Sequence, residues 1–293
     1  MSQAASQEST IATTAHRSLV LNRLGLLIRV TLLLAVAIIM LAPIVYALVT
    51  SLRSPVESFT LPPKWIPTEA DWSSYRSVFT TIPFEQYIVN STVVTLAIVV
   101  GQLITSALAG YAFARLKFPG RELCFWIILA TLMIPLQATI IPVFVLIKEM
   151  GLSNTRASLV LPALSSAFGA FLLRQYFLRI PDDFEEAALL EGANQWEIFW
   201  SIYLPLAKPG LSVLAILTFN VYWNEFLRPL IFLQSIDKFT LPLGLVNLQG
   251  YLGTGSISVV LAGVIVSLLP VLVVYLVGQR YLVEGIMMGG LKG

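Results

Sequence analysis

Asn220, Trp223 and Asn224 stand at i, i+3 and i+4 inside an apolar stretch, a spacing that puts them on one face of a helix. Tyr222 and Glu225 lie beside them, and Arg228 follows one turn beyond Glu225. Two uses fit this set. Amides and aromatic faces suit a ligand that carries hydroxyls on apolar rings, and the same side chains suit helix–helix hydrogen bonding with an internal Glu225–Arg228 pair. Asn90, Thr95, Gln102, Thr105 and Ser106 on one apolar stretch, and Gln137 and Thr139 on another, extend the set. Polar groups are costly in lipid and usually turn toward a bundle interior or a cavity. Nucleophilic chemistry has little to work with. The one histidine, His16, lies in a polar N-terminal stretch, so no imidazole base is available in any apolar segment or connection. A lone imidazole also argues against a metal or proton-relay centre, and a lone thiol, Cys124, allows no internal disulfide. Cys124 sits in an apolar run and reads as a small core residue.

The elements that position these residues are those of a bilayer protein. The 293-residue chain is 57% hydrophobic and 12% charged, with a mean hydropathy of +0.83, where soluble domains are roughly one-quarter charged. A net charge of +2 offers no basic patch to nucleic acid. Six stretches, at about 26–50, 87–113, 123–147, 157–178, 210–233 and 257–282, reach the roughly 20 apolar residues of a transmembrane helix. They predict an all-α integral membrane protein with six transmembrane helices. The first has an apolar core from Leu32 to Val49 without a small-residue cleavage site, which predicts a retained helix instead of a signal peptide.

Orientation follows from the basic residues, because Lys and Arg near span ends stay in the cytoplasm. Arg17 and Arg23 precede the first span, Arg115, Lys117 and Arg121 crowd the turn between the second and third, and Arg280 and Lys292 follow the sixth. Both termini are therefore expected in the cytoplasm. Residues 1–25 form a tail whose first 16 residues are expected to be mobile, and 26–50 form the first span. Residues 51–86 lie outside, where Pro62, Pro63, Trp65, Pro67 and Trp72 predict a folded cap; 87–282 carry the five-helix core, and 283–293 end the chain inside. Gly110, Pro135, Pro142, Pro162 and Pro270 fall within spans, either as ordinary membrane-helix tolerance or as kinks that shape a pathway.

Between the fourth and fifth spans, residues 181–209 are too polar at their start for membrane and too patterned for a linker. Pro181, Asp182 and Asp183 start a helix, and Glu185 and Glu186 occupy its first turn, where the helix dipole favours carboxylates. Gly192 supplies a left-handed stop. Asn194 followed by Glu197 resembles a capping box that opens a second helix, and Pro205 and Pro209 break it before the fifth span. Trp196, Ile198, Phe199, Trp200, Ile202 and Tyr203 make this second helix too apolar to stay free in water. It must be buried against the protein's own span ends, against a partner, or both; Ala187 and Ala188 leave the first helix slim enough for a partner's groove.

The spacing Glu186-Ala187-Ala188, Gly192, Ile202, Leu204-Pro205 resembles the loop signature of ABC-importer permeases. Asn90-Ser91, the run from Tyr111 to Arg121, and the ending from Gln279-Arg280-Tyr281 to Lys292-Gly293 are similar to the carbohydrate-uptake branch and, within it, to the smaller permease of maltose-type pairs. Glu191 stands where relatives commonly have aspartate, with the charge kept. The resemblance implies a type I importer transmembrane domain in a bacterial inner membrane, assembled with a second permease, two ATP-binding subunits and an extracytoplasmic solute-binding protein. It implies that Glu185, Glu186, Ala187, Ala188, Gly192, Ile202, Leu204 and Pro205 form an ATPase-coupling loop. No cofactor is expected on this chain, which contains no phosphate-binding loop, so ATP and Mg belong to the partner ATPase. Asn90, Gln102, Asn220, Tyr222, Trp223, Asn224 and Glu225 are the candidates for a pathway carrying a sugar, oligosaccharide, polyol or sugar phosphate. An ion-coupled secondary transporter is the alternative; it needs ionisable residues deep in several spans, and only Glu225 qualifies.

Overall fold

The computed structural model describes the backbone of residues 2–54, 70–250 and 255–290, and the side chains of 25–54, 70–250 and 255–281. Pro62, Pro63, Trp65 and Pro67 lie outside the described residues. The helices are α1 (Ser2–Ser51), α2 (Ser73–Thr81), α3 (Phe84–Ala114), α4 (Arg121–Ala130), α5 (Leu136–Glu149), α6 (Arg156–Val160), α7 (Ala167–Phe177), α8 (Asp183–Leu190), α9 (Gln195–Ile198), α10 (Leu204–Leu206), α11 (Lys208–Trp223), α12 (Leu227–Phe232), α13 (Leu241–Asn247) and α14 (Ile257–Gly290). Short 3₁₀ turns follow α4 and α6, another covers Ile236–Lys238, and a π turn fills Phe199–Tyr203.

Among the described residues, three helices are each long and apolar enough to cross a membrane: Gly25–Ser51 within α1, all of α3, and Ile257–Tyr281 within α14. The helix α1 starts at Ser2, so the segment expected to be a loose tail is helical and continuous with the first apolar stretch. No proline or glycine interrupts residues 2–24 to stop it. Likewise α14 runs to Gly290, past the expected end of the sixth stretch.

The other apolar stretches are broken. The third is α4 with its 3₁₀ turn, then α5 at 102° to it, and the fourth bends by 43° between α6 with its turn and α7. The fifth separates into α11 and α12 around residues 224–226. Prolines explain the breaks in the third and fifth stretches. Ile134 is extended before Pro135, as residues preceding proline tend to be. The ring of Pro229 conflicts with a helical carbonyl at Glu225, four residues back, so α11 cannot run on into α12. Pro142 and Pro270, by contrast, sit inside α5 and α14.

The helix α3 is the central post. Its 31 residues span roughly 46 Å at 1.5 Å per residue, and it contributes to all three buried apolar clusters. One gathers Tyr87, Phe219, Trp223 and Leu241; a second gathers Val94, Ile98, Leu159 and Phe232; the third joins Ala107 and Tyr111 to Leu173, Phe177 and the loop aromatics Phe199 and Tyr203. The short α2 packs its buried Ser74 and Val78 toward α3 and α14 and leaves Trp72 exposed. Cys124 is exposed on the outer face of α4, beside exposed Leu123 and Trp126, and is not a core residue. A membrane-facing helix surface hosts small apolar side chains as readily as a core does, which composition alone does not separate.

The α3–α7 contact is backbone-close at Gly110, where an added Cβ would stand 2.9 Å from both the Arg174 amide nitrogen and Leu173 Cβ. Gly110→Ala should therefore destabilise the chain by about 1–3 kcal/mol, the usual cost of overpacking. A thermal midpoint in mild detergent equal to that of the parent chain would show that α7 can move aside.

Candidate functional site

The loop over residues 181–209 folds as two short helices by local signals. The helix α8 carries Asp183, Glu185 and Glu186 in its first turn. It ends at Gly192, whose φ of +87° is accessible to glycine at no steric cost. The Gly192 amide donates to the Leu189 carbonyl and the Ala193 amide to the Ala188 carbonyl, both at 3.0 Å. These are the two bonds of a Schellman closure. Asn194 Oδ1 accepts from the amides of Trp196 (3.0 Å) and Glu197 (3.1 Å), and Glu197 Oε2 accepts from the Asn194 amide at 2.7 Å, completing the capping box. The second helix then widens into the π turn. The Leu204 amide donates to the Phe199 carbonyl, accommodating Pro205, which has no amide to offer. A 72° bend at Ala207, between Pro205 and Pro209, leads into α11.

The two helices do not share their burial equally. Ile198, Phe199 and Tyr203 are buried against α3 and α7, where the Tyr111 ring lies 5.1 Å from Phe199 and 5.2 Å from Tyr203. Ile202, Leu204 and Ala188 are half-buried, and Pro205 is exposed. Trp196 and Trp200 keep 63% and 59% of their surface in the open. On α8, Phe184, Glu186, Ala187 and Leu189 are exposed and Leu190 is 90% exposed. The second helix is thus mostly accounted for by the chain's own span ends, while the first offers a bare face.

The two helices of the loop are held from behind by three polar ties. The Tyr203 hydroxyl donates to Glu185 Oε2 at 2.7 Å, and the Tyr111 hydroxyl donates to Gln195 Oε1 at 2.6 Å. Burial first, and then the Glu185 carboxylate that it meets, push the Tyr203 phenol up from its ordinary value, so it remains a neutral donor. The third tie is Arg115, at the end of α3. Its guanidinium donates to the carbonyls of Phe177 (2.7 Å) and Ile180 at the end of α7, pairs with Asp182, and stacks 4.9 Å from the Tyr203 ring centre. Asp182 therefore starts α8 by holding Arg115 and not by capping the helix with its own side chain. In the sequence Arg115 serves as a marker of orientation and as part of the run from Tyr111 to Arg121, not as a tie to the loop. The visible signal was an arginine directly after a long apolar helix.

The polar residues inside the spans divide differently from their expected grouping. Asn224 closes α11, its Nδ2 donating to the Asn220 carbonyl at 2.8 Å, and both side chains are exposed. Trp223 does not share their surface: it is buried, stacks on Phe219 with ring centres 5.3 Å apart, and donates to the Ser267 carbonyl at 3.1 Å. Glu225 pairs with Arg228 through a 2.6 Å bond, and Arg228 also donates to the Leu159 carbonyl at 3.2 Å. Asn90 is fully buried and engaged: Nδ2 donates to the carbonyls of Asp237 and Phe239, both at 2.9 Å, while Oδ1 accepts from Gln86 and Arg156. Gln102 Nε2 donates to the Ala163 carbonyl (2.8 Å) and to the Tyr222 hydroxyl (3.0 Å), and its Oε1 accepts from Thr218 at 3.1 Å. Of the pathway candidates, Gln102 and Tyr222 are brought together. With Ser166, Phe168, Leu217, Thr218 and Val221 they line an open cleft of about 380 Å³. Ser166 and Thr218 were not singled out by sequence, because single hydroxyls in spans are common as packing glue.

Comparison with known proteins agrees with these features. A profile of the family described as binding-protein-dependent transport system inner membrane component matches residues 102–286, a range that includes the whole loop. The arabinooligosaccharides transport system permease protein AraQ of Halalkalibacterium halodurans is 38% identical over 204 residues, covering 70% of this chain and 73% of that protein. The sn-glycerol-3-phosphate transport system permease protein UgpE of Pectobacterium atrosepticum is 34% identical, covering 90% and 97% respectively. A crystal structure of a bacterial ABC transporter involved in import of the acidic polysaccharide alginate contains a chain 29% identical to this one, with a TM-score of 0.79 over 88% of this chain and 96% of that one. The chain belongs to the family of binding-protein-dependent transport system inner membrane components.

Proposed function

We propose that this chain is the smaller of two permeases in a type I ABC importer, carrying a carbohydrate-type solute across a bacterial inner membrane. It crosses six times, each broken helix pair counting as one span, with both termini in the cytoplasm. The relatives named above act on an oligosaccharide, a sugar-alcohol phosphate and an acidic polysaccharide by name, which supports this solute class. Its partners are a second permease, an extracytoplasmic solute-binding protein and two ATPase subunits that hold ATP and Mg. The ion-coupled alternative falls away with the family, and Glu225, the one intramembrane carboxylate that favoured it, is neutralised by Arg228.

The observation that carries this reading is the split character of α8. Its inner side is tied to the chain through Glu185 and Asp182, while Glu186, Ala187 and Leu190 point away bare. A helix held so firmly on one side and so open on the other is suited to transmit force. The ATPase docks on the open side, and nucleotide-driven closure moves α8 together with the ends of α3, α7 and α11. The cleft at Gln102 and Tyr222 borders the solute route, where the Tyr222 ring and hydroxyl can meet a sugar.

Four variants separate these roles. Glu186→Lys reverses the charge of an exposed side chain whose only local role is to favour the first turn of α8, and Gly192→Pro forbids the left-handed closure. Each should leave the subunit in the membrane but abolish capture of the ATPase and solute uptake; retained capture with full uptake would defeat the coupling role. Tyr203→Phe keeps the ring and removes the donor to Glu185, costing about 1 kcal/mol. In the reconstituted complex, ATP hydrolysis should then become less dependent on loaded binding protein, and an unchanged dependence would show the tie to be unnecessary. Tyr222→Leu should leave ATPase capture intact and raise the solute concentration for half-maximal uptake severalfold. An unaltered uptake curve would remove Tyr222 from the route.

A further inference from the structure

The turn that joins α3 to α4 bears a charged cleft that none of the roles above uses. It measures about 470 Å³ and is lined by Lys117, Phe118, Gly120, Arg121, Glu122 and Leu123. Its one carboxylate is already neutralised: Glu122 accepts from Arg174 Nη2 at 3.0 and 3.2 Å and pairs with Arg121 at 3.1 Å. Arg121 is further fixed by donating Nη1 to the Leu116 carbonyl at 3.1 Å, and Arg174 by stacking on Phe125 and donating to the Phe113 carbonyl. The Lys117 ammonium is exposed and has no hydrogen-bond or ion-pair partner among the described residues. Lys117 and Arg121 on the lining, with Arg174 bound to Glu122 beside it, thus set three cations against one carboxylate, a surplus of two positive charges.

The cleft is continuous with an apolar wall. Leu123, Trp126 and Ile127 are exposed along α4, and Phe118 is exposed at the turn itself. A ligand that fits both parts has an anionic head and a hydrocarbon body. Lysine, arginine and tryptophan at the end of an apolar helix also form the pattern expected at a headgroup layer. We propose that this turn is a binding site for an anionic phospholipid, with the phosphate between Lys117 and Arg121 and an acyl chain along Leu123 and Trp126. The site rests on the proposed topology only in that the turn must lie at a membrane surface. Charge complementarity favours lipid over a docked protein, because an apolar wall running down a span helix is accessible to lipid and not to a water-soluble subunit.

The test uses the full chain, purified in mild detergent with whatever subunits accompany it, and native mass spectrometry of lipid retained from phosphatidylglycerol or phosphatidylcholine with matched acyl chains. The parent should retain phosphatidylglycerol preferentially. Lys117→Gln should weaken that retention by about fivefold, as loss of one cation near an anionic surface does. Lys148→Gln, which removes an exposed lysine at the far end of α5, should change nothing. Equal retention of both lipids, or a Lys117→Gln variant that behaves like the parent, overturns the proposal. So does displacement of the lipid by millimolar inorganic phosphate, which would mean that the cleft reads phosphate without a chain. Loss of ATPase capture in Lys117→Gln with lipid retention unchanged would assign the charge to protein docking instead. None of these outcomes depends on whether Glu186 couples to the ATPase, so the two readings fail separately.

Discussion

A break in a membrane helix frees backbone carbonyls and amides that lipid cannot satisfy, and this constraint organises the structure. The breaks in the third, fourth and fifth apolar stretches would each leave such groups exposed. The unbroken α3 supplies many of the missing partners. Its Gln102 and Thr105 donate to the carbonyls of Ala163 and Leu164 beside the bend before α7, and its Asn90 donates to Asp237 and Phe239. Ser91 accepts from the Leu241 amide, and Arg115 closes the end of α7. Arg228 does the same for Leu159 from the opposite side. One straight helix with polar side chains along its length lets its neighbours bend.

The loop inherits its geometry from the same arrangement. Arg115 satisfies the last carbonyls of α7 and in the same act grips Asp182, so the start of α8 is referenced to two span ends at once. Tyr111 and Tyr203 add ties from within the aromatic cluster. These ties fasten both short helices to the ends of α3 and α7.

Residues whose partners lie near in sequence were legible, and those with distant partners were not. The helix stop at Gly192 and the capping box of Asn194 and Glu197 have local signatures, and both appear as expected. The apolar stretches were found by length, but their breaks were read as kinks at most, because what stabilises a break is a side chain elsewhere. Gln102 and Ala163 are 61 residues apart and Asn90 and Asp237 are 147 apart. For the same reason Asn90 looked like a pathway residue, its distant carbonyls being invisible. Trp223 shares i, i+3, i+4 spacing with Asn220 and Asn224, but that spacing spreads the three over about 100° of helix surface, wide enough for one edge to be buried while the other is exposed. The Trp223 edge meets α14, where the indole donates to the Ser267 carbonyl.

The helix α8 has a last consequence for how such a protein can change over generations. Glu185 on its inner side accepts from Tyr203, and Asp182, just before the helix, pairs with Arg115, so neither can vary without loosening the loop. Glu186, Leu190 and Glu191 are exposed, and no side-chain hydrogen bond or ion pair holds them among the described residues. Mutational drift on the outer side is thus uncoupled from folding, and under the proposed coupling role a lineage can retune its fit to a different motor while its own architecture stays as it is.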